Sequence, residues 1–181
     1  MKVWFYFANS GGGHKAPAEA VALALKNLDP EVEVKMVDMG AGSLISKYSL
    51  EHLYVFLTHN WPRIYKLVYK LSLKKSVVRF ENWLAVKFTT QRLKIDLADP
   101  PDIIVSTYFL VSPLQKALRE LKLSIPIIVI TTEPFSVPPV WFYSKDLNFI
   151  VFSDQARDLA IENGVSPEKV KKLFLPEKAR F

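Results

Sequence analysis

The sequence predicts an α/β fold, a mainly parallel sheet flanked by helices, within a single domain spanning residues 1–181. Three observations carry this. Val3-Trp4-Phe5-Tyr6-Phe7-Ala8 is an unbroken aromatic and β-branched run that reads as a buried strand. It is followed at once by the glycine-rich stretch Asn9-Ser10-Gly11-Gly12-Gly13-His14 and then by apolar residues at helical spacing. Three later runs, Pro101–Thr107, Ile125–Thr131 and Asn148–Ser153, are apolar almost throughout, as strands buried on both faces of a parallel sheet should be.

The first unit is therefore strand, glycine loop, helix. Pro17 falls in the first helical turn, where a missing N–H costs nothing, and Val21, Ala24, Leu25 and Leu28 supply an apolar face. Glycines let a ligand approach the main chain closely, and the helix start aims N–H groups at it, which suits phosphate or a developing oxyanion. His14 stands at the mouth of this loop, with the side chain best matched to proton transfer near neutral pH. A second interpretation is a dinucleotide-binding loop. Gly11, Gly13 and Ala16 fit G-x-G-x-x-(G/A), and Asp38 closes the next strand where a ribose-binding acid would sit. That pattern is short enough to arise by chance. The plainest interpretation is a tight turn carrying a surface histidine.

Val32–Val37 alternates with period two and predicts the second strand, ending at Asp38 before Gly40, Gly42 and Ser43 break the chain. Residues 44–96 are helical in character, basic and rich in aromatics, and form an insertion longer than an ordinary one-helix crossover. Asn60-Trp61-Pro62 marks a break between helices. Beyond it, Ile64, Leu67, Val68 and Leu71 form a stripe, with Lys66, Lys70 and Lys74 on a neighbouring face. The later elements are a helix over Pro113–Leu123 and a loop over Thr132–Asp146, in which Trp141-Phe142-Tyr143 reads as exposed. They continue with a helix capped by Asp154 and ended by Asn163-Gly164, a turn from Ser166, and an extended run over Val170–Leu175.

Bulk properties narrow the function. Half the residues are hydrophobic and 23% are charged, which is a globular and not a disordered composition. The absence of cysteine excludes disulfide and thiolate chemistry and fits a cytoplasmic protein. The N-terminus opens directly on a strand, without a signal-peptide pattern, and charges interrupt every candidate membrane span. No metal and no resident cofactor is expected. The net charge of +6 is unevenly placed: between Trp61 and Ile95, nine bases (Arg63, Lys66, Lys70, Lys74, Lys75, Arg79, Lys87, Arg92 and Lys94) face the single acid Glu81. Charge so nearly of one sign does not serve intrahelical salt bridges, and Trp61, Tyr65 and Tyr69 lie among the bases. A solvated lysine face is the ordinary explanation, but this mixture is the composition of a helix resting on anionic lipid. Trp61, Arg63, Lys66, Lys70, Lys74 and Lys75 are the candidate membrane contacts. No nucleic-acid-binding motif is present, and none is expected as partner. His52 and His59 read as surface residues.

Several stretches together resemble the monogalactosyldiacylglycerol synthase and processive diacylglycerol glucosyltransferase family. Ser10-Gly11-Gly12-Gly13-His14 followed by Ala16 and Ala18-Glu19-Ala20 is similar to its N-terminal signature. Pro101-Asp102-Ile103-Ile104-Val105-Ser106 is similar to its "PD-apolar-apolar-x-S" strand. Ile125-Pro126 through Val140-Trp141-Phe142 resembles its "IP…T-D…P-x-W" loop, and Phe152-Ser153 through Val170 a later segment. Leu175–Phe181 resembles the element that begins the linker between the family's two domains. Two positions depart from the pattern: Tyr108 stands where the family has histidine, and Thr131-Thr132-Glu133 where it has Thr-Asp.

The resemblance implies a Rossmann-like domain, the N-terminal, acceptor-side half of a two-domain GT-B glycosyltransferase that transfers hexose from a nucleotide-sugar to diacylglycerol. It implies His14 as general base with Glu133 as a partner, and acceptor binding around Asn9, Ser10, Gly11, Gly12, Gly13, Tyr108 and Trp141. It also implies peripheral association with an anionic membrane and a diacylglycerol-like lipid. Catalysis would then require a donor-binding domain, supplied by a separate polypeptide or else absent from a non-catalytic lipid- or ligand-binding module. A dinucleotide-binding domain is the remaining alternative.

Overall fold

The computed structural model describes residues 1–9, 13–39, 59–61, 63–64, 75–134 and 137–173. Its strands are β1 (Lys2–Phe7), β2 (Glu33–Asp38), β3 (Ile103–Ser106), β4 (Ile127–Ile130), β5 (Asn148–Val151) and β6 (Val170–Lys172). The helices are α1 (Lys15–Leu28), α2 (Lys75–Asp96), α3 (Ser112–Glu120) and α4 (Asp154–Glu162), with 3₁₀ turns at Pro139–Phe142 and Pro167–Lys169. All six strands are parallel, in the order β2-β1-β3-β4-β5-β6. The predicted Rossmann-like sheet is what the chain forms. Of the predicted insertion over 44–96, α2 is seen as its last helix; Lys66, Lys70 and Lys74 lie outside the described residues, as does the 175–181 linker.

Strand order dictates where the helices go. Crossovers between parallel strands are right-handed, so a step from β1 to β2 in one direction puts α1 on one face. Every later step runs the other way and puts its connection on the opposite face. The α1 face buries Val3, Phe5 and Phe7 of β1 with Val105 and Ile130. The other face joins Trp4, Tyr6, Ile104, Val129 and Phe149 to Leu93 of α2 and Leu97 just past its end, Leu114 and Leu118 of α3, and Ala156 and Ala160 of α4. The ammonium of Lys35, from edge strand β2, lies over Trp4, 4.4 Å from the ring centroid.

The structure corrects four expectations. The buried face of α1 is Ala18 and Ala22 with Leu25 partly covered, while Val21, Ala24 and Leu28 are exposed, Leu28 to 85%. Small side chains let the helix lie close on the aromatic strand β1, so the larger apolar residues turn outward. Trp141 and Phe142 are not exposed: they are 2% and 1% accessible, and only Tyr143 of the three is on the surface. The connection over 132–146 takes the place of a crossover helix, and its 3₁₀ turn drives these two rings against the sheet. The N-cap of α4 is Ser153, whose Oγ accepts from the Ala156 N–H and donates to the Pro134 carbonyl; Asp154 is the first helical residue. Finally, two bases of the positive region are paired: Arg92 with Asp96 one turn on, and Lys94 with Glu120 of α3 at 3.0 Å. The predicted end of α4 holds, with Gly164 at φ +89° accepting the left-handed conformation that closes the helix.

Enlarging the small face of α1 should therefore be costly, and trimming its outer face should not. Ala18→Leu is expected to lose about 1–3 kcal/mol by overpacking, and Leu28→Ala to change stability by less than about 0.5 kcal/mol, both read by urea unfolding.

Candidate functional site

The sheet reverses direction between β1 and β3, because α1 leaves β1 over one face and α3 leaves β3 over the other. Such a reversal opens a crevice beyond the carboxyl ends of the two strands. Three segments converge on it: His14 after β1, Thr107-Tyr108-Phe109 after β3, and Thr132-Glu133 after β4.

His14 is held from two directions. Its Nδ1 lies 2.8 Å from the Thr107 carbonyl, while the Thr107 hydroxyl donates to the His14 carbonyl at 2.6 Å. A carbonyl can only accept, so Nδ1 carries the hydrogen and Nε2 of the neutral ring holds a free lone pair. The Thr132 Oγ1 lies 3.3 Å from the same Nδ1 and donates in turn to Glu133 Oε2 at 3.3 Å. Glu133 thus reaches the imidazole through a hydroxyl, not by direct contact. The ring is walled by aromatics, with Tyr108 edge-on at 5.0 Å, Trp141 at 5.9 Å and Phe109 at 6.4 Å between centroids. Ser106 fixes the turn that presents Tyr108, its Oγ donating to the Tyr108 carbonyl and accepting from the Tyr108 N–H.

This setting favours the neutral base. Burial among the rings pulls the His14 pKa below its ordinary value, against the Thr107 carbonyl and the Glu133 charge, which both favour the cation. A half-buried neutral imidazole with a fixed tautomer can take a proton from a hydroxyl at Nε2. The imidazolium so formed keeps its Nδ1–H on Thr107 and gains the nearby negative charge of Glu133.

The structure brings together His14, Tyr108, Glu133 and Trp141 of the predicted site. Trp141 acts as a buried wall behind His14 and not as an exposed contact. Asn9 lies exposed two residues past β1, and Gly13 precedes His14; Ser10, Gly11 and Gly12 lie outside the described residues. Trp61 and Arg63 are exposed, as is His59. Asp38 closes β2 beside Phe7. Sequence reasoning missed Thr107, Thr132 and Phe109, whose roles depend on strands that meet only in the sheet. Their position just past the ends of two apolar runs was the available signal.

A parallel sheet of this order, with an oriented histidine at its reversal, is the Rossmann-like architecture of one half of a GT-B fold. The fold is similar to that of the lipopolysaccharide outer core galactosyltransferase WaaB in its apo form, with a TM-score of 0.58 at 17% identity over 98% of this chain and 46% of that one. The chain belongs to the monogalactosyldiacylglycerol (MGDG) synthase family, whose model matches residues 14–176. It is 22% identical to the processive diacylglycerol beta-glucosyltransferase of Bacillus thuringiensis (strain Al Hakam) and 23% identical to that of Bacillus cereus (strain B4264). In both comparisons the match covers 99% of this chain but 46% of the relative, so the chain spans about half the length of the curated relatives it matches.

Two outcomes check the histidine. In NMR titration, His14 is expected to have a midpoint below the ordinary 6.5, and Glu133→Gln should lower it further by removing a charge that favours the cation. Because the folded pKa is depressed, the stability that His14 confers is complete above pH 6.5 and is lost as pH falls through the folded value. Urea melts between pH 8 and pH 5 should therefore show a smaller acid loss in His14→Gln than in the parent.

Proposed function

We propose that this chain is the acceptor-binding, membrane-associating half of a glycolipid glycosyltransferase. The observation that carries the proposal is the His14 imidazole, committed through Nδ1 to Thr107 and bearing its lone pair at Nε2. In the proposed reaction a diacylglycerol hydroxyl attacks the anomeric carbon of a nucleotide-sugar hexose. A bond forms between that oxygen and the anomeric carbon, the bond to the nucleotide diphosphate breaks, and the hydroxyl proton passes to His14 Nε2. Thr107 and Thr132 hold the ring in place, and the Glu133 carboxylate stabilises the imidazolium. Donor and acceptor must be held together for this reaction. The chain spans 46% of its diacylglycerol-glucosylating relatives, and we assign donor binding to a further domain or polypeptide. Alone, this half does not turn over.

The acceptor is a membrane lipid, and the surface chemistry suits an anionic bilayer. α2 leaves Phe80, Trp83 and Phe88 exposed, and the Lys87 ammonium lies 5.1 Å from the Trp83 ring and 5.6 Å from Phe88. Aromatic rings beside ammonium groups suit the boundary between headgroups and acyl chains. Trp61 and Arg63 are exposed in the same basic region. Among the described residues no helix is long and apolar enough to cross a membrane, and the proposed association is peripheral.

Co-sedimentation with neutral and anionic vesicles containing diacylglycerol, across a salt series, tests the membrane half of this reading. Salt-sensitive binding to anionic vesicles is expected, and it should be lost when Lys66, Lys70, Lys74 and Lys75 are changed to Glu; no binding to either vesicle overturns it. The catalytic half is tested with the donor-binding half supplied. His14→Ala should then lower kcat by about 10²–10⁴-fold with little change in KM, and an unchanged kcat would remove His14 as the base.

A further inference from the structure

The acid that bears on His14 belongs to a short segment fixed at both of its ends to the β5 side of the crevice. At its start Thr131, fully buried, gives both its N–H, at 3.0 Å, and its hydroxyl, at 3.3 Å, to the Ile150 carbonyl. At its end the Pro134 carbonyl accepts the hydroxyl hydrogen of Ser153, two residues beyond β5. Thr132 and Glu133 lie between these fixings, and they are the pair that meets the imidazole. We propose that Ser153 is a positioning residue for this acid: by holding Pro134 it keeps Glu133 on Thr132, and Thr132 on His14. The proposal rests on the reading of Glu133 as the charge that supports the imidazolium.

The connection to the histidine is easily lost. Glu133 Oε2 lies 3.3 Å from the Thr132 hydroxyl oxygen, and that oxygen lies 3.3 Å from His14 Nδ1. Both contacts are long, so a displacement of about 0.3 Å takes either beyond hydrogen-bonding distance. A glutamate side chain also has rotamer freedom to lose, and an exposed carboxylate would regain it in water. The backbone on either side must therefore hold the acid in place. Pro134 has a fixed φ and confines Glu133, the residue before it, to extended backbone. The bond to the Pro134 carbonyl then sets where the segment goes as it leaves the sheet.

Ser153 suits this task because a hydroxyl both donates and accepts. As the N-cap of α4 its Oγ accepts from the Ala156 N–H at 3.0 Å, which leaves its one hydrogen for Pro134. One oxygen thus ties the start of α4 to the segment that carries the acid. The other titratable groups beside the imidazole do not depend on this tie. Tyr108 comes from the end of β3, and Lys15, next in the chain, is paired with Glu19 on the outer side of α1 at 3.5 Å. Trp141, from the 3₁₀ turn, is uncharged. Glu133 is the charge that favours the cationic ring, and Ser153 is the hydroxyl that anchors its segment.

The test is an NMR titration of the His14 imidazole in the whole chain, comparing the parent with Glu133→Gln, Ser153→Gly, Ser153→Ala, Ser153→Thr and the pair Glu133→Gln with Ser153→Gly. Glycine caps a helix nearly as well as serine, and alanine caps poorly, but neither can donate to Pro134; threonine can do both. The midpoint is expected to fall equally in Ser153→Gly and Ser153→Ala, most of the way to its value in Glu133→Gln. It should return to the parent value in Ser153→Thr, and Ser153→Gly should move it no further in the Glu133→Gln chain. A midpoint unmoved in both the glycine and the alanine variant overturns the proposal. So does a fall confined to Ser153→Ala, which would report the lost cap, or a further fall in the paired variant, which would show an effect not carried by Glu133. An unmoved midpoint in Glu133→Gln itself overturns the reading of Glu133 as the supporting charge, and the proposal with it. No turnover is measured, so the result is independent of whether His14 is the base.

Discussion

Parallel strands cannot be joined by tight turns; each connection must cross a face of the sheet, and it does so with one hand. In this chain the crossover after β1 runs opposite to every later one, and the consequences reach all of the chemistry. Among the described residues, the reversal places α1 on one face and α2, α3 and α4 on the other. It also leaves the carboxyl ends of β1 and β3 side by side with their connections diverging. His14, Thr107 and Thr132 lie up to 118 residues apart in sequence, yet they meet in that gap through direct hydrogen bonds. The arrangement is a product of strand order before it is a product of side-chain choice.

Within the crevice, the partner of the histidine is a carbonyl and not a carboxylate. The difference matters for a base. A carboxylate directly on Nδ1 would favour the imidazolium strongly, whereas the Thr107 carbonyl fixes the tautomer with less gain for the charged form. Tyr108, Phe109 and Trp141 reduce the polarity around the ring, and burial prevails in setting its proton affinity. The negative charge of Glu133 is kept one hydroxyl away. The family pattern has an acid immediately after threonine, and here a second threonine intervenes; the intervening residue is the one that touches the histidine.

The basic character of the chain divides by position along α2. Near its C-terminal end, Arg92 and Lys94 meet Asp96 and Glu120, and Lys35 of the edge strand approaches Asp96 at 4.0 Å. These exposed contacts help to set how the helix lies beside α3 and β2, but pairs of this kind contribute little net stability. The earlier turns are different, with Phe80, Trp83 and Phe88 outward and Lys87 among them. One helix therefore carries a docked end and an exposed aromatic face. A groove along its inner edge adds a third environment, because α3 turns its polar side toward Asn82 and Val86.

Periodicity and composition determined the class of fold by themselves. Uninterrupted apolar runs such as Ile103–Val105 and Ile127–Ile130 leave no polar face for solvent, so a sheet covered on both sides was the available solution. The glycine loop after the first strand identified the crevice, and His14 stood out because one titratable ring at such a loop has an evident chemical use. The family motifs were equally local. What remained hidden depended on contacts between distant segments. No local pattern shows that Ala18 and Ala22, and not Val21 and Leu28, face β1, because the choice follows from how closely a helix can approach bulky aromatic residues. The Trp141-Phe142 pair looked exposed among prolines and is buried, because a connection without a helix must cover the sheet with the rings it has. Thr107 and Thr132 are unremarkable as residues. Only the pairing of β1 with β3, and of β3 with β4, brings their oxygens to one nitrogen, and a sequence does not state which strands are neighbours.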